Sequence, residues 1–223
     1  MKKLLERCRL LYKNIIFDFD GTIADSKTCS VIATKKAFND YGLNIPSDEQ
    51  IEYYMGIPIE ESFNLMSDFK LNDKELTELM TFFRENYKET EAKHLKIYDG
   101  MQEQLKTLHQ NHKLFVVSSK KTNVLERNLS KLGVDNLFVE VIGSDKVTNY
   151  KPSPDGIIYI LQKYDLHNKD TIYVGDAVFD IKMAKNANID SCAVTWGSHS
   201  IEVLNTENPN FIINNVKELN FEE

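Results

Sequence analysis

The chain has 223 residues, of which 42% are hydrophobic and 27% charged, and a formal net charge of -7. Such a length admits one core domain carrying a smaller insert, and such a composition excludes a disordered or low-complexity chain. The negative balance disfavours nucleic acid as a partner, because polyanion binding needs basic groups that release counterions, but it is compatible with a local basic pocket for one phosphate. Cys8, Cys29 and Cys192 are widely separated and odd in number. They fit reduced thiols in a cytoplasmic protein better than a disulfide framework, and they show no zinc spacing.

In chain order, residues 1–12 read as a short amphipathic extension in which Leu4, Cys8 and Leu11 share one helical face. Glu6, Arg7 and Arg9 interrupt it too often for a signal peptide or a membrane span. Ile15-Ile16-Phe17 is a short apolar run expected to be a buried parallel strand. From residue 26 to 94 helix follows helix without a strong strand. Ser47 and Gln50 make a capping-box pattern there, and Leu76, Leu79, Met80, Phe83 and Tyr87 form an apolar stripe expected to pack as core. The stretch from Tyr53, Tyr54 and Met55 through Gly56-Ile57-Pro58 is a candidate substrate loop of this insert.

Beyond the insert, apolar runs at 114–117, 139–142, 172–174, 193–194 and 211–213 alternate with helical patterns over 123–132, stopped by Gly133, and 157–164. The alternation predicts an α/β fold, a doubly wound parallel sheet formed by residues 1–25 and 95–223, with a smaller helical cap of residues 26–94. His109 and His112 lie near a helix end and read as cap or surface groups, whereas Cys29 and Cys192 sit in apolar patterns and read as packing residues.

Acidic residues gather where the predicted strands end. Asp18-Phe19-Asp20-Gly21-Thr22 follows the first strand, and extended geometry sends Asp18 and Asp20 to one side with Phe19 to the other. An ordinary strand-to-loop turn also accounts for this pair taken alone. Gly175-Asp176 ends another apolar run, with Asp180 one helical turn on, a spacing that a helix N-cap with a first-turn acid explains equally. Converging carboxylates repel unless a cation lies among them, and magnesium, with its preference for oxygen ligands and phosphate, suits such a site. Ser118-Ser119 and Lys151 offer hydroxyls and a positive charge to phosphoryl oxygens, though a serine-rich loop and a solvated lysine are the plainer readings of each by itself.

Taken together, Asp18 to Ser26, Ser118, Lys151-Pro152-Ser153-Pro154, and Gly175-Asp176 with Asp180 resemble the four motifs of the haloacid dehalogenase superfamily, over residues 14–216. The helical insert and Val194-Thr195-Trp196-Gly197 are similar to those of phosphoglycolate phosphatases, although Ser118-Ser119 stands for the frequent Thr-Asn and Asp99 for a frequent Pro. The resemblance implies a magnesium-dependent phosphatase acting on a small phosphorylated metabolite, with no membrane partner. In it Asp18 is the nucleophile and Asp20 the acid/base. Thr22, Ser118, Ser119 and Lys151 hold phosphate, and Asp18, the Asp20 carbonyl, Asp176 and Asp180 serve the metal. Pyrophosphate and nucleoside monophosphates are the neighbouring substrates. A non-catalytic binding protein is disfavoured by the intact acids, a dehalogenase or phosphonate hydrolase by Asp20, and a phosphoglucomutase by Ser30, where those relatives carry His.

Overall fold

A computed structural model describes residues 11–221. The expected helix at the start of the chain, apart from Leu11, and Cys8 with it, lie outside the described residues. Six parallel strands form the central sheet: β1 (Asn14–Phe17), β4 (Lys113–Val117), β5 (Glu140–Ile142), β6 (Thr171–Gly175), β7 (Asp190–Val194) and β8 (Phe211–Ile213), in the spatial order β5-β4-β1-β6-β7-β8. Two two-residue strands absent from the sequence reading, β2 (Ala24–Asp25) and β3 (Lys96–Ile97), pair antiparallel where the chain leaves and re-enters the core.

The sheet is buried on both faces because its central strands are continuous apolar runs whose successive side chains point to opposite faces. Ile15, Phe17, Leu114, Val116, Ile172 and Val174 face one cluster, which takes in Leu105 of α5 (Met101–His109) and Leu125 of α6 (Thr122–Lys131). Ile16, Phe115, Val117 and Tyr173 face the other, packed by Ile157 and Ile160 of α7 (Asp155–Lys163) and Met183 of α8 (Val178–Asn186). Cys29 and Cys192 are buried, in line with a packing role. His112 is buried as well, its Nδ1 2.8 Å from the Tyr12 carbonyl, which corrects the surface reading of that side chain. No helix among the described residues is long and apolar enough to cross a membrane.

Between β2 and β3 stand α1 (Lys27–Tyr41), α2 (Asp48–Tyr53), α3 (Ile59–Met66) and α4 (Asp73–His94), with a 3-10 turn at Tyr54–Gly56. The expected capping box at Ser47 and Gln50 starts α2, and Asn72 with Glu75 makes a second one at α4. These helices share their own apolar cluster of Phe38, Ile51, Phe63, Leu79 and Met80. The stripe on α4 is divided in use. Leu79 and Met80 fill this cluster, whereas Tyr87 belongs to the cluster under the sheet and Phe83 packs against both.

Candidate active site

The strand order places two chain ends side by side. The chain runs from β1 outward to β4 and β5, then returns to β6 on the other flank of β1. The crevice at the carboxyl ends of β1 and β6 is therefore the switch point of the sheet, where open α/β sheets bind ligands. Asp18 directly follows β1 and Asp176 directly follows β6, and the pairing of Phe17 with Val174 brings Asp18 level with Gly175, one residue before Asp176. Asp180 comes from the first turn of α8, where its Oδ2 accepts from the Ala177 amide at 3.0 Å.

Glycines let the acids sit this close to the backbone. Gly21 has φ +75°, and a Cβ there would lie 2.2 Å from Asp176 Oδ2; one on Gly197 would lie 2.3 Å from the same oxygen. Both positions therefore need a residue without a side chain. Asp176 is held by Thr22 Oγ1, which donates to Oδ1 at 3.0 Å, and by the Ser198 amide, which donates to Oδ2 at 2.7 Å.

Asp18, Asp176 and Asp180 are all buried, and each offers an oxygen within 4.8 Å of the others. Lys151 Nζ lies 2.9 Å from Asp18 Oδ1 and 2.7 Å from Asp180 Oδ1. One ammonium does not balance three buried carboxylates. Burial pushes the Asp18 carboxyl up to about 8, with Asp180 and Asp176 adding to the shift and Lys151 opposing it. Burial, followed by the Asp180 charge, brings Asp176 to about 6. Burial disfavours the Lys151 ammonium, but Asp18 and Asp180 outweigh it and hold its pKa above the ordinary value. A set of three close carboxylates that prefers extra positive charge fits a hard divalent cation such as magnesium.

Asp20 lies outside this cluster, so its carboxylate is not a member of the acid triad. Its Oδ1 accepts from Ser26 Oγ at 2.5 Å and from Lys120 Nζ at 2.7 Å. Lys120 also donates to the Tyr87 phenol of α4 at 2.7 Å, and its ammonium lies 4.5 Å from the centre of that ring. Burial works against the charge of Lys120, yet the Asp20 and Tyr87 oxygens raise its pKa. The sequence reading missed Lys120 and Ser198, and it took Ser26 only as the end of a motif and Tyr87 only as a core residue. Lys120 and Lys121 are adjacent, and only the backbone path after β4 decides which of them turns inward.

The other expected phosphate ligands have partners here. Ser118 is buried at the end of β4, and its hydroxyl accepts from the Lys120 amide at 3.4 Å. Ser119 Oγ donates to the Gly56 carbonyl of the helical insert at 3.1 Å. The expected substrate loop thus rests on the core. His199 Nε2 lies 3.1 Å from the Tyr53 carbonyl, and the His199 and Tyr53 rings stack at 5.0 Å. Beside this contact a cleft of about 490 Å³ opens between insert and core, with Asp20, Ser119 and Lys120 at one end and Tyr54, Met55 and Ile57 in its lining.

Comparison with known proteins accords with this arrangement. The pyrophosphatase PpaX of Oceanobacillus iheyensis is 29% identical over 208 residues, which cover 93% of this chain and 94% of that protein. A phosphoglycolate phosphatase of Vibrio vulnificus is 28% identical over 214 residues, again 93% of this chain and 94% of its own length. A haloacid dehalogenase-like hydrolase from Streptococcus pneumoniae has a solved structure that superposes with a TM-score of 0.83 at 26% identity, covering 93% of this chain and 96% of that one. The family pattern described as haloacid dehalogenase-like hydrolase matches residues 15–194, from β1 through β7 and across all the acids described above, and the chain belongs to that family.

Proposed function

We propose that the chain is a magnesium-dependent phosphatase that hydrolyses a small phosphate monoester of the phosphoglycolate type through an aspartyl-phosphate on Asp18. The observation that carries this reading is the buried set of Asp18, Asp176 and Asp180 around Lys151 at the switch point of the sheet. Asp18, Asp176, Asp180 and the Asp20 main-chain carbonyl are the groups that would hold magnesium, which when bound offsets the charge of the phosphoryl oxygens.

The carboxylate of Asp18 attacks phosphorus as the ester oxygen departs, and Asp20 gives that oxygen its proton. Asp20 then takes a proton from the water that attacks the aspartyl-phosphate, which releases inorganic phosphate and restores Asp18. Lys151, Thr22, Ser118 and Ser119 are the donors proposed for phosphate. Thr22 and Ser119 take that part by giving up their bonds to Asp176 and Gly56, so the grip of Ser119 is tied to the position of the loop at Gly56.

In the same reading residues 26–94 are a cap carried by the core, supported by their separate apolar cluster. Closure of such a cap keeps water from the reacting ester. A cytoplasmic setting accords with the free thiols of Cys29 and Cys192.

The test is phosphate release from a panel of esters and from pyrophosphate, in magnesium, in excess chelator and in calcium. Activity is expected with magnesium alone, because calcium takes more oxygen ligands at longer distances and disturbs the line of attack from Asp18. Full activity in excess chelator would remove the metal from this account. No release from any compound would remove the phosphatase.

A further inference from the structure

The cleft between the insert and the core carries information about what hangs from the phosphoryl group. Its volume of about 490 Å³ falls in the range of about 300–1,000 Å³ usual for small-molecule pockets, well beyond the needs of a two-carbon leaving group. Much of the lining is apolar, with Ile51, Tyr54, Ile57, Met66 and Phe83 contributing. It is also cationic, in a chain whose net charge is -7.

The cations divide into two kinds. Lys120 and Arg127 are engaged, the first by Asp20 and the second by Glu91 through two bonds of 2.8 and 2.9 Å. Arg84, Lys88 and Lys121 have no ion-pair partner among the described residues. Against them the lining offers only two acids, Glu60 and the already paired Asp20.

Helix geometry groups these side chains. Arg84 and Lys88 are one turn apart on α4, a spacing that puts their Cβ atoms about 5–6 Å from each other. Phe83 and Tyr87 repeat the spacing one residue earlier, with ring centres 5.4 Å apart. α4 therefore turns an aromatic pair and a cationic pair toward the same cleft. Lys121 lines the core side of the cleft, directly before α6, whose first amide is already taken by the Asp145 carboxylate at 2.6 Å.

We propose that the substrate is a phosphate monoester whose leaving group has a bulky apolar or aromatic body and a second anionic group, carboxylate or phosphate, received by Arg84, Lys88 and Lys121. This rests on the phosphatase reading above and departs from it in one respect, a leaving group larger than the two-carbon one of phosphoglycolate. The apolar body lies along Tyr54, Ile57 and Phe83, and the second anion pairs cations that otherwise face water. A compact substrate fills only the end near Asp20 and reaches neither.

The test measures kcat/KM of the full chain with magnesium on four compounds: benzyl phosphate, para-carboxybenzyl phosphate, para-xylylene bisphosphate and phosphoglycolate. All four leaving groups are alcohols, so the comparison reads binding and not leaving-group activation. At least one of the two bulky esters with a second anionic group should exceed benzyl phosphate by about tenfold or more, the gain expected from a charge-assisted bond. The larger of the two ratios identifies the anion as carboxylate or phosphate. The same ester should also exceed phosphoglycolate. In the double variant Arg84→Met, Lys88→Met the ratio to benzyl phosphate should fall to within about twofold of unity, and Lys121→Met should lower it by part of that amount. A wild-type ratio near unity, an unchanged ratio in the double variant, or faster turnover of phosphoglycolate would overturn the inference while leaving the phosphatase intact. Absence of phosphate release from all four compounds would overturn both.

Discussion

Asp18 and Asp20 are two residues apart and live in opposite surroundings. Asp18 is 2% exposed and belongs to a floor built from the sheet, the loops after it and the first turn of α8, with Lys151, Asp176 and Asp180 as neighbours. Asp20 belongs to a joint, bonded to Ser26 and Lys120, and through Lys120 to Tyr87 of the helical insert. The floor has more negative charge than its single ammonium balances, which favours a cation there. The joint has a charge partner already, and its geometry depends on where α4 sits. In the proposed reaction the first region supplies the bond to phosphorus and the second moves the proton. Separate control of the two steps follows from that division.

The comparison breaks first at Asp18. Replacement by Asn removes the attacking carboxylate, so turnover of every phosphate ester should fall on the order of 10⁴-fold or more. Single-turnover phosphate release measures this, and a residual rate near that of the native chain would show that the floor holds no nucleophile.

Lys151→Met attacks the same floor through stability. It leaves Asp18 and Asp180 buried without their cation, and breaking a buried ion pair on one side costs about 3–5 kcal/mol. Denaturant unfolding in chelator should show that loss, and magnesium should restore part of it. An unchanged midpoint would mean that the acids are already neutral without the lysine.

Much of the floor was legible in the sequence because strand-end residues inherit their positions from the strands. The apolar runs located β1, β4 and β6, and the residues directly after them are Asp18, Ser118 and Asp176. The joint was not legible in the same way. Tyr87 lies on the stripe of α4 that reads as core, and its ring is indeed buried, but no periodicity reveals that its hydroxyl receives Lys120 across the insert. Ser119 and Thr22 show the same limit, because hydroxyls that suit phosphate also suit a carbonyl or a carboxylate, and here they reach Gly56 and Asp176. β2 and β3 escaped notice because two residues are too few to display a strand period.

Asp20→Asn tests whether the joint handles the proton. An alkoxide leaving group needs that proton and a nitrophenolate does not, so kcat/KM for an alkyl ester should drop about 10²-fold further than for para-nitrophenyl phosphate. The comparison belongs in kcat/KM, because loss of the base for the second step slows kcat for all esters alike. Equal losses would remove Asp20 from the role of general acid.

The floor has a pH signature of smaller size. Unfolded Asp titrates near 3.9, whereas folded Asp18 and Asp176 are raised to about 8 and about 6. Between those limits the folded chain binds more protons than the unfolded one, so these two groups make metal-free stability fall as pH rises from about 4 to about 8. Thermal unfolding in chelator should show a shallower decline in Asp18→Asn than in the native chain. Magnesium should flatten the native decline by competing with the protons. Identical slopes for the two chains in chelator would show that Asp18 holds no extra proton.

The smallest effect sharpens the comparison most, because it touches the joint and leaves the floor alone. Tyr87→Phe keeps the ring that packs in the core cluster and over which the Lys120 ammonium lies, and removes only the phenol oxygen that Lys120 bonds at 2.7 Å. Lys120 retains its 2.7 Å bond to Asp20, so the acid keeps its partner but loses the link to α4. One neutral acceptor is worth about 0.5–1.5 kcal/mol, so kcat/KM for alkyl esters should fall about twofold to tenfold. Esters with activated leaving groups should change less, since their departure does not wait for the proton of Asp20. Magnesium affinity, measured by calorimetry, should stay as in the native chain, because Asp18, Asp176 and Asp180 make no bond to Tyr87. A drop in magnesium affinity, or equal losses for both kinds of ester, would mean that floor and joint are one unit and that the insert governs the nucleophile as well as the proton.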